Sequence, residues 1–358
     1  MSIVDPSIQR LGPPPHFPNM NLKICHSAEH PNSNFIESEG GHQVLQKIKR
    51  GIQKSQQILN SNTKRPKVLC MIYTVDTPSN TRNLKAIAQT WGRKCDGFIA
   101  SSNVMNHSLG SVHLTHEGDE TYGNIWAKII STWMYAYRNY IQEFDYFYIC
   151  GDDTYVAMEN LYAFLMSDDV TRLQEGYRDA IYDATIGESS IYTHEMRPRP
   201  LLLAAPMMYK RKPVISGGTG YILNRAALNL FGRNIMNPRE AQYTNVTSSM
   251  EDVFMGQFFL RHGVSVSVTN DFANGGGRRF AGTADNSFSY TPTSDSSKPV
   301  MLQRRYGLPL VYGPDTASEQ QIAFHLKDDW KRMQKFGFHV SDLMYRYHAV
   351  LYDLCQSK

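Results

Sequence analysis

The sequence predicts an α/β protein built around a mostly parallel sheet. Short apolar runs of strand length alternate with longer amphipathic runs through about residue 170, and this alternation favours right-handed βαβ units. Two adjacent carboxylates, Asp152 and Asp153, directly follow one of the apolar runs. Sheets of this kind bind ligands beyond the carboxyl ends of their strands. The 358 residues, 41% of them hydrophobic and 20% charged, suit one large domain with extensions or two smaller ones.

Charge and hydropathy argue against two classes of partner. The formal net charge is +4, without a long run of Lys or Arg, whereas nucleic-acid binding needs a concentrated basic face. No stretch reaches the ~18 apolar residues of a membrane span, and residues 1–20 are proline-rich and lack a signal core. We therefore expect no nucleic-acid partner, and either a cytosolic protein or a chain without its targeting segment.

The first half of the chain predicts an extension followed by alternating strands and helices. Residues 1–65 are polar at first, and apolar residues at helical spacing then predict a helix near 43–59. Short apolar runs bounded by polar residues predict buried strands at 68–74, 96–102 and 146–150. Apolar residues at helical spacing predict helices at 83–91, 124–141 and 158–166.

The second half predicts further strands and helices. Strands are predicted at 201–205, 214–215 and 264–268, and helices at 225–231 and 252–262. Gly232 and Gly263 are typical helix stops. The glycine-rich stretch 216–220 predicts a turn, since it matches neither a P-loop nor a dinucleotide-binding fingerprint. Residues 275–320 are rich in Gly, Ser and Pro and predict loops.

Three features carry candidate chemistry, each beside a structural alternative. Asp152 and Asp153 could form a polar turn or hold a divalent cation, which takes carboxylate oxygens. Glu251 and Asp252 precede an apolar helix, where acidic residues stabilise the helix dipole; the alternative is a general base. His325 lies among apolar residues, as core histidines do, but imidazole also suits Mn²⁺ better than Mg²⁺.

Taken in order, these features belong to six blocks of sequence that resemble one known family. The blocks are 68–95, 120–137, 144–165, 212–231, 248–264 and 322–330, and they include "ICGDDTYV", "ISGGTGY" and "MEDVFMG". Together they resemble the β1,3-glycosyltransferase family, with the core 1 β1,3-galactosyltransferase branch nearest and fringe more distant. The likeness runs from about residue 66 to 330.

The resemblance implies a fold, a reaction and a cellular location. The fold would be a single GT-A domain at 66–335, with a stem at 1–65 and a helical extension at 336–358. The activity would be inverting transfer of galactose from UDP-galactose, in β1,3 linkage, onto a glycan or glycopeptide acceptor such as O-linked GalNAc. The cofactor would be Mn²⁺, with Mg²⁺ as the alternative. The protein would be a type II membrane protein of the Golgi or ER lumen, its anchor absent from these residues, and we also consider a homodimer.

The resemblance also implies roles for individual residues. Asp153 and His325 would bind the metal, and Asp252 would be the general base. The residues that would contact the donor are Thr74, Arg82, Trp91, Lys128, Asp152, Gly217, Gly218 and Glu251. Of the five cysteines, Cys70 and Cys95 match a family disulfide, which would place the chain in an oxidising compartment.

The sequence departs from the family pattern at four points. Gly151 stands where the metal motif usually begins with an acidic residue, and Ser318-Glu319-Gln320 lie where a Cys-Cys pair is expected. An aromatic acceptor-binding stretch is not evident in 285–315, and no anchor is present. Two alternatives therefore stand beside the galactosyltransferase: a fringe-like N-acetylglucosaminyltransferase and a non-catalytic chaperone or lectin-like relative. Retention of Asp153, Asp252 and His325 favours an enzyme.

Overall fold

The computed structural model describes residues 39–61, 64–175, 198–210, 212–271, 277–281, 318–326 and 339–354. In these ranges the helices are α1 (Glu39–Ser61), α2 (Pro78–Gln89), α3 (Ile125–Tyr140), α4 (Met158–Leu165), α5 (Asp168–Glu175), α6 (Arg225–Asn234), α7 (Ala241–Thr244), α8 (Glu251–Arg261) and α9 (Val340–Leu351). The strands are β1 (Val68–Tyr73), β2 (Gly97–Ser102), β3 (Ser111–His113), β4 (Tyr146–Gly151), β5 (Thr154–Val156), β6 (Leu202–Tyr209), β7 (Lys212–Asn224), β8 (Val266–Val268), β9 (Asn270–Asp271), β10 (Gly277–Arg278), β11 (Phe280–Ala281) and β12 (Ala323–His325).

A seven-stranded sheet in the order β3-β2-β1-β4-β7-β6-β8 forms the centre of the fold. Strands β3, β2, β1 and β4 are parallel neighbours, as are β6 and β8. Only β7 runs antiparallel to its neighbours β4 and β6 in this sheet. The prediction of an α/β protein with a mostly parallel sheet is therefore confirmed.

The alternation of side chains along each strand divides the interior into two cores. In β1, Leu69 and Met71 pack with residues of α3, α6 and α8 on one face of the sheet. Val68, Cys70 and Ile72 point to the other face, where α1, α2, α4 and α9 pack. Because both faces are covered, the central strands are apolar on both sides, which is why their sequence reads as continuous apolar runs.

Helix α1 is not a peripheral element. It belongs to the core on the face of the sheet that Val68, Cys70 and Ile72 cover, which we call the second core. Its residues Val44, Leu45, Ile48 and Ile52 are at most 1% exposed, and the helix contacts α4 and α9. Burial of one such side chain contributes about 1.5–3 kcal/mol, so this face holds the helix on the domain. The helix predicted near 43–59 is confirmed, and its buried face packs on the domain. The domain limits at 65 and 335 remain predictions.

Several predicted boundaries also differ in the structure. Helix α2 begins earlier than predicted, because Thr77 caps it by accepting a hydrogen bond from the Asn80 amide (3.2 Å) and Pro78 follows at the first position. The glycines at 217–220 lie within β7 and not in a turn. Gly232 lies inside α6 and not at its end, and a Cβ there would overlap the Tyr137 ring of α3. Gly263, with φ +76°, does follow the end of α8.

The cysteines agree with the disulfide that the resemblance implied. Cys70 in β1 and Cys95 before β2 are bonded to each other, and Cys150 is a buried free thiol. Cys25 and Cys355 lie outside the described residues. Within those residues, no helix is both long and apolar enough to span a bilayer.

Candidate functional site

A cavity of about 530 Å³ opens at the carboxyl ends of β1 and β4. The middle of β7, the start of α8 and the segment between β3 and α3 complete its walls. All but two of the predicted site residues line it: Thr74, Lys128, Asp152, Asp153, Gly217, Gly218, Glu251, Asp252 and His325. The fold thus gathers residues from six separate segments at the end of the sheet where α/β proteins bind ligands.

Arg82 and Trp91 are the predicted residues that do not line the cavity. Arg82 is exposed on α2. Trp91 is 1% exposed, and its indole nitrogen donates to the backbone oxygen of Thr154 (3.1 Å). This hydrogen bond holds β5, the strand that follows Asp152 and Asp153. Trp91 therefore acts on the cavity through the backbone of β5.

Asp153 and His325 meet although 172 positions separate them in the chain. His325 Nε2 lies 3.2 Å from Asp153 Oδ2. A second sheet, β11-β12-β5, produces this approach, because β12 pairs antiparallel with β5 and sets His325 opposite Thr154. The Leu326 amide also donates to the Asp153 backbone oxygen (2.9 Å). The two predicted metal ligands are therefore fixed to one point by backbone pairing.

A buried polar cluster anchors the chain on either side of this second sheet. Arg279 Nη2 lies 3.1 Å from Asp271 Oδ1, and the Ser318 hydroxyl donates to Asp271 Oδ2 (2.6 Å). Asp271 is 0% exposed, Ser318 1% and Arg279 5%. The cluster ties residue 318, shortly before β12, to β9. It lies where the family pattern had suggested a cysteine pair, and it secures the strand that carries His325.

Asp152 is a carboxyl group held close to another negative charge. Its Oδ2 accepts a hydrogen bond from the Thr74 hydroxyl (2.5 Å). Burial raises the pKa of Asp152 to about 7, and the charge of Asp153 adds to this, while Thr74, Asn83 and Lys128 act in the opposite direction. Burial and the charge of Asp153 both disfavour the ionised form of Asp152. A cation bound between the carboxyl groups of Asp152 and Asp153 would therefore stabilise that ionised form.

Glu251 and Asp252 occupy the first turn of α8 and face the same cavity. Asp252 Oδ2 accepts a hydrogen bond from the Gly217 amide (2.9 Å) and Oδ1 from the Val253 amide (2.7 Å). Burial raises the pKa of Asp252, although these amides oppose the shift. Burial, with the charge of Asp252, also raises the pKa of Glu251 well above its usual value. The helix-terminus alternative and the general-base alternative are thus compatible at Asp252, since one oxygen is bound to α8 and the other to β7.

Gly217 and Gly218 allow β7 to approach two functional side chains. A Cβ at Gly217 would overlap the Glu251 carboxyl, and one at Gly218 would lie 2.9 Å from His325 Nδ1. The sequence predicted that these glycines admit the substrate; the structure shows that they also admit the protein's own carboxyl and imidazole groups. Only residues without a Cβ fit between β7 and these neighbours.

A polar cluster that the sequence did not predict borders the cavity around Lys128. Lys128 Nζ donates to the Thr74 backbone oxygen (2.5 Å) and pairs with Glu120 (2.6 Å). The other Glu120 oxygen lies 3.1 Å from His116 Nε2. The hydrogen bond to Glu120 raises the pKa of His116. His116 and Glu120 lie in an irregular segment, so no periodic pattern marked them. The available signal was their position, since Glu120 is the first residue of the block at 120–137 and His116 lies just before it.

The donor set of the cavity fits a borderline divalent cation. Among the described lining residues, Glu120, Asp152, Asp153, Glu251 and Asp252 carry carboxyl groups, against a single lysine. No group of three or more His, Cys, Asp or Glu side chains is arranged to hold a metal in the described part of the chain. Asp153 and His325 together offer one oxygen and one nitrogen, a pair that suits Mn²⁺ better than Mg²⁺. Such a pair leaves the remaining coordination positions to substrate and water.

Comparison with known proteins supports the family resemblance. No family model matches the sequence. The chain is similar to glycoprotein-N-acetylgalactosamine 3-beta-galactosyltransferase 1 of Xenopus laevis, with 25% identity over 296 residues, which cover 81% of this chain and 72% of that protein. The α/β architecture with its mostly parallel central sheet agrees with the GT-A fold that the resemblance implied. The sequence similarity therefore supports the family resemblance, and the architecture is consistent with it.

Proposed function

We propose that this chain is an inverting, metal-dependent glycosyltransferase that moves galactose from UDP-galactose, in β1,3 linkage, onto a glycan such as O-linked GalNAc. The observation that carries the proposal is the convergence of Asp153 and His325, at 3.2 Å, in the cavity that also contains Asp252. The similarity to a galactosyltransferase supports the reaction class.

The carboxyl groups of the cavity make binding of the proposed donor depend on the proposed metal cofactor. A nucleotide diphosphate is anionic, and the carboxyl groups of the described lining would repel it. Lys128 offers little compensation, because its ammonium group is already paired with Glu120. Asp153 and His325 would hold Mn²⁺, which when bound neutralises the two phosphates and stabilises the departing UDP.

Asp252 is proposed as the general base. Its carboxylate would take the proton of the acceptor hydroxyl as that oxygen forms a bond to the anomeric carbon, while the bond from that carbon to the UDP oxygen breaks. One displacement converts an α-linked donor into a β-linked product. The raised pKa of Asp252 makes the carboxylate a better proton acceptor, and its amide contacts fix the position of the group.

The disulfide supports a location for the proposed enzyme. Disulfides persist in oxidising compartments, so the Cys70–Cys95 bond favours the secretory lumen over the cytosol. A membrane anchor and a homodimer are parts of the proposal that follow from the family resemblance alone.

The test is a donor and metal screen. Transfer and hydrolysis would be measured with UDP-galactose and UDP-N-acetylglucosamine, using a GalNAc glycoside as acceptor, in Mn²⁺, in Mg²⁺ and in EDTA. We expect Mn²⁺-dependent turnover of UDP-galactose. Preference for UDP-N-acetylglucosamine would support the fringe-like alternative. Absence of turnover with every donor, from protein that still binds the acceptor, would support the non-catalytic relative.

A further inference from the structure

Tyr73 and Gly151 are partners across the two strands that end at the cavity. Tyr73 is the last residue of β1 and Gly151 the last of β4, and the parallel pairing places them side by side. Both line the cavity. A Cβ added to Gly151 would lie 3.3 Å from Cε2 and from the hydroxyl oxygen of Tyr73, and 2.9 Å from Asp153 Oδ1. The phenol therefore occupies the space beside Gly151, and its hydroxyl and Asp153 Oδ1 both border that space.

The chemistry of Tyr73 differs from that of its neighbours. A tyrosine hydroxyl keeps its proton at neutral pH. No hydrogen bond within the described part of the chain uses this hydroxyl. The group is thus an uncharged donor in a cavity whose carboxyl groups are mainly acceptors. A bound anion would satisfy it.

We propose that Tyr73 is a donor-binding residue, whose hydroxyl hydrogen-bonds a phosphate oxygen of the sugar nucleotide held beside Asp153, and that Gly151 leaves the room this phenol needs. The inference rests on the proposed function, since it names a further contact to the same donor. It also explains why the buried strand β4 ends in a glycine at the start of the acidic motif. A larger residue at 151 would displace either the phenol or the Asp153 carboxylate.

The hydroxyl is tested by calorimetric titration of UDP in saturating Mn²⁺. Tyr73→Phe keeps the ring and removes the donor, so UDP binding should weaken about tenfold, the scale of one hydrogen bond to a charged group. The thermal midpoint should stay at the wild-type value. Tyr137→Phe is the matched control, because Tyr137 lies against Gly232 outside the cavity, and it should bind UDP as the wild type does.

The shared space is tested by a double-variant cycle on the same titration. Gly151→Ala should weaken UDP binding, because the new methyl group crowds Tyr73 and Asp153. In Tyr73→Ala the loss of the phenol makes room, so adding Gly151→Ala to that variant should cost less than it does in the wild type. Additive effects would overturn the role of Gly151.

The outcomes separate this inference from the proposed function. If wild-type protein binds UDP in Mn²⁺ and Tyr73→Phe binds it equally well, the inference is wrong and the proposed function stands. If wild-type protein binds no UDP in Mn²⁺, both are wrong. Weakened binding by Tyr73→Phe with an unchanged control supports both.

Discussion

Individual side chains in this cavity are defined by the backbone groups that hold them. The Asp252 carboxylate accepts hydrogen bonds from the backbone amides of Gly217 and Val253. The backbone oxygen of Asp153 accepts a hydrogen bond from the Leu326 amide. The sequence predicted Asp252, Asp153 and His325 because they lie in motifs that resemble a family. It did not predict Tyr73, His116 or Glu120, because their importance depends on neighbours that are distant in the chain.

The role of Asp252 can be separated from binding. Asp252→Asn keeps the size and can accept one of the two amide hydrogen bonds, but it cannot accept the proton, so transfer should fall by roughly 10²- to 10⁴-fold, the range typical of lost general-base catalysis. Mn²⁺-dependent binding of UDP should change little. Asp169→Asn is the control, since Asp169 is on the surface of α5 with its side chain 60% exposed. Retention of full transfer activity by Asp252→Asn would exclude this residue as the base.

Asp152 should make the stability of the metal-free protein depend on pH. Its pKa is about 7 in the folded protein and about 3.9 in an unfolded chain. Between these values the folded state holds a proton that the unfolded state lacks, so the free energy of unfolding should fall as pH rises through this window. Asp152→Asn should reduce this dependence, and it should stabilise the protein at pH 8 more than at pH 4. Urea unfolding in EDTA measures it, and identical pH profiles for variant and wild type would contradict the raised pKa.

At the scale of single elements, the sequence predicted where strands and helices lie along the chain better than it predicted what they pack against. The strands at 68–73, 97–102 and 146–151 were recognisable because both faces of the sheet are covered, which produces continuous apolar runs. The glycine-rich sequence of β7 predicts a turn, because glycine is permissive in any conformation, but the glycines lie within the strand. Their reason is tertiary, the approach of Glu251 and His325, and no local pattern contains it. The same holds for α1, whose helix was predicted but whose partners were not.

Helix α1 provides a test of the boundary between extension and domain. Ile48 is 0% exposed in the second core, so Ile48→Ala should lower the free energy of unfolding by about 2–5 kcal/mol, as core truncations do. Gln57→Ala, at an exposed position of the same helix, should have almost no effect. Urea unfolding of the full chain measures both. Equal free energies of unfolding for the two variants would contradict the packing of α1 in the core and would support a peripheral stem.

At the scale of the whole molecule, two sheets together create the site. The seven-stranded sheet delivers Asp152 and Asp153 to the end of β4, and the smaller sheet β11-β12-β5 returns the chain to place His325 beside them. Sequence order alone gave no distance between these segments. The family resemblance predicted that Asp153 and His325 lie together only because it implied a known fold. The physical cause of their approach is the backbone pairing of β12 with β5, secured by the Arg279–Asp271 ion pair.

The central claim is that Asp153 and His325 jointly hold the metal that carries the sugar nucleotide. The most direct test is calorimetric titration of UDP into the wild type, Asp153→Asn, His325→Gln and the exposed-site control His113→Gln, each with Mn²⁺ and with EDTA. We predict that wild type and control bind UDP only with Mn²⁺, and that both site variants lose this binding. Equal UDP affinity in Mn²⁺ and EDTA, or unchanged binding by either site variant, would contradict the claim.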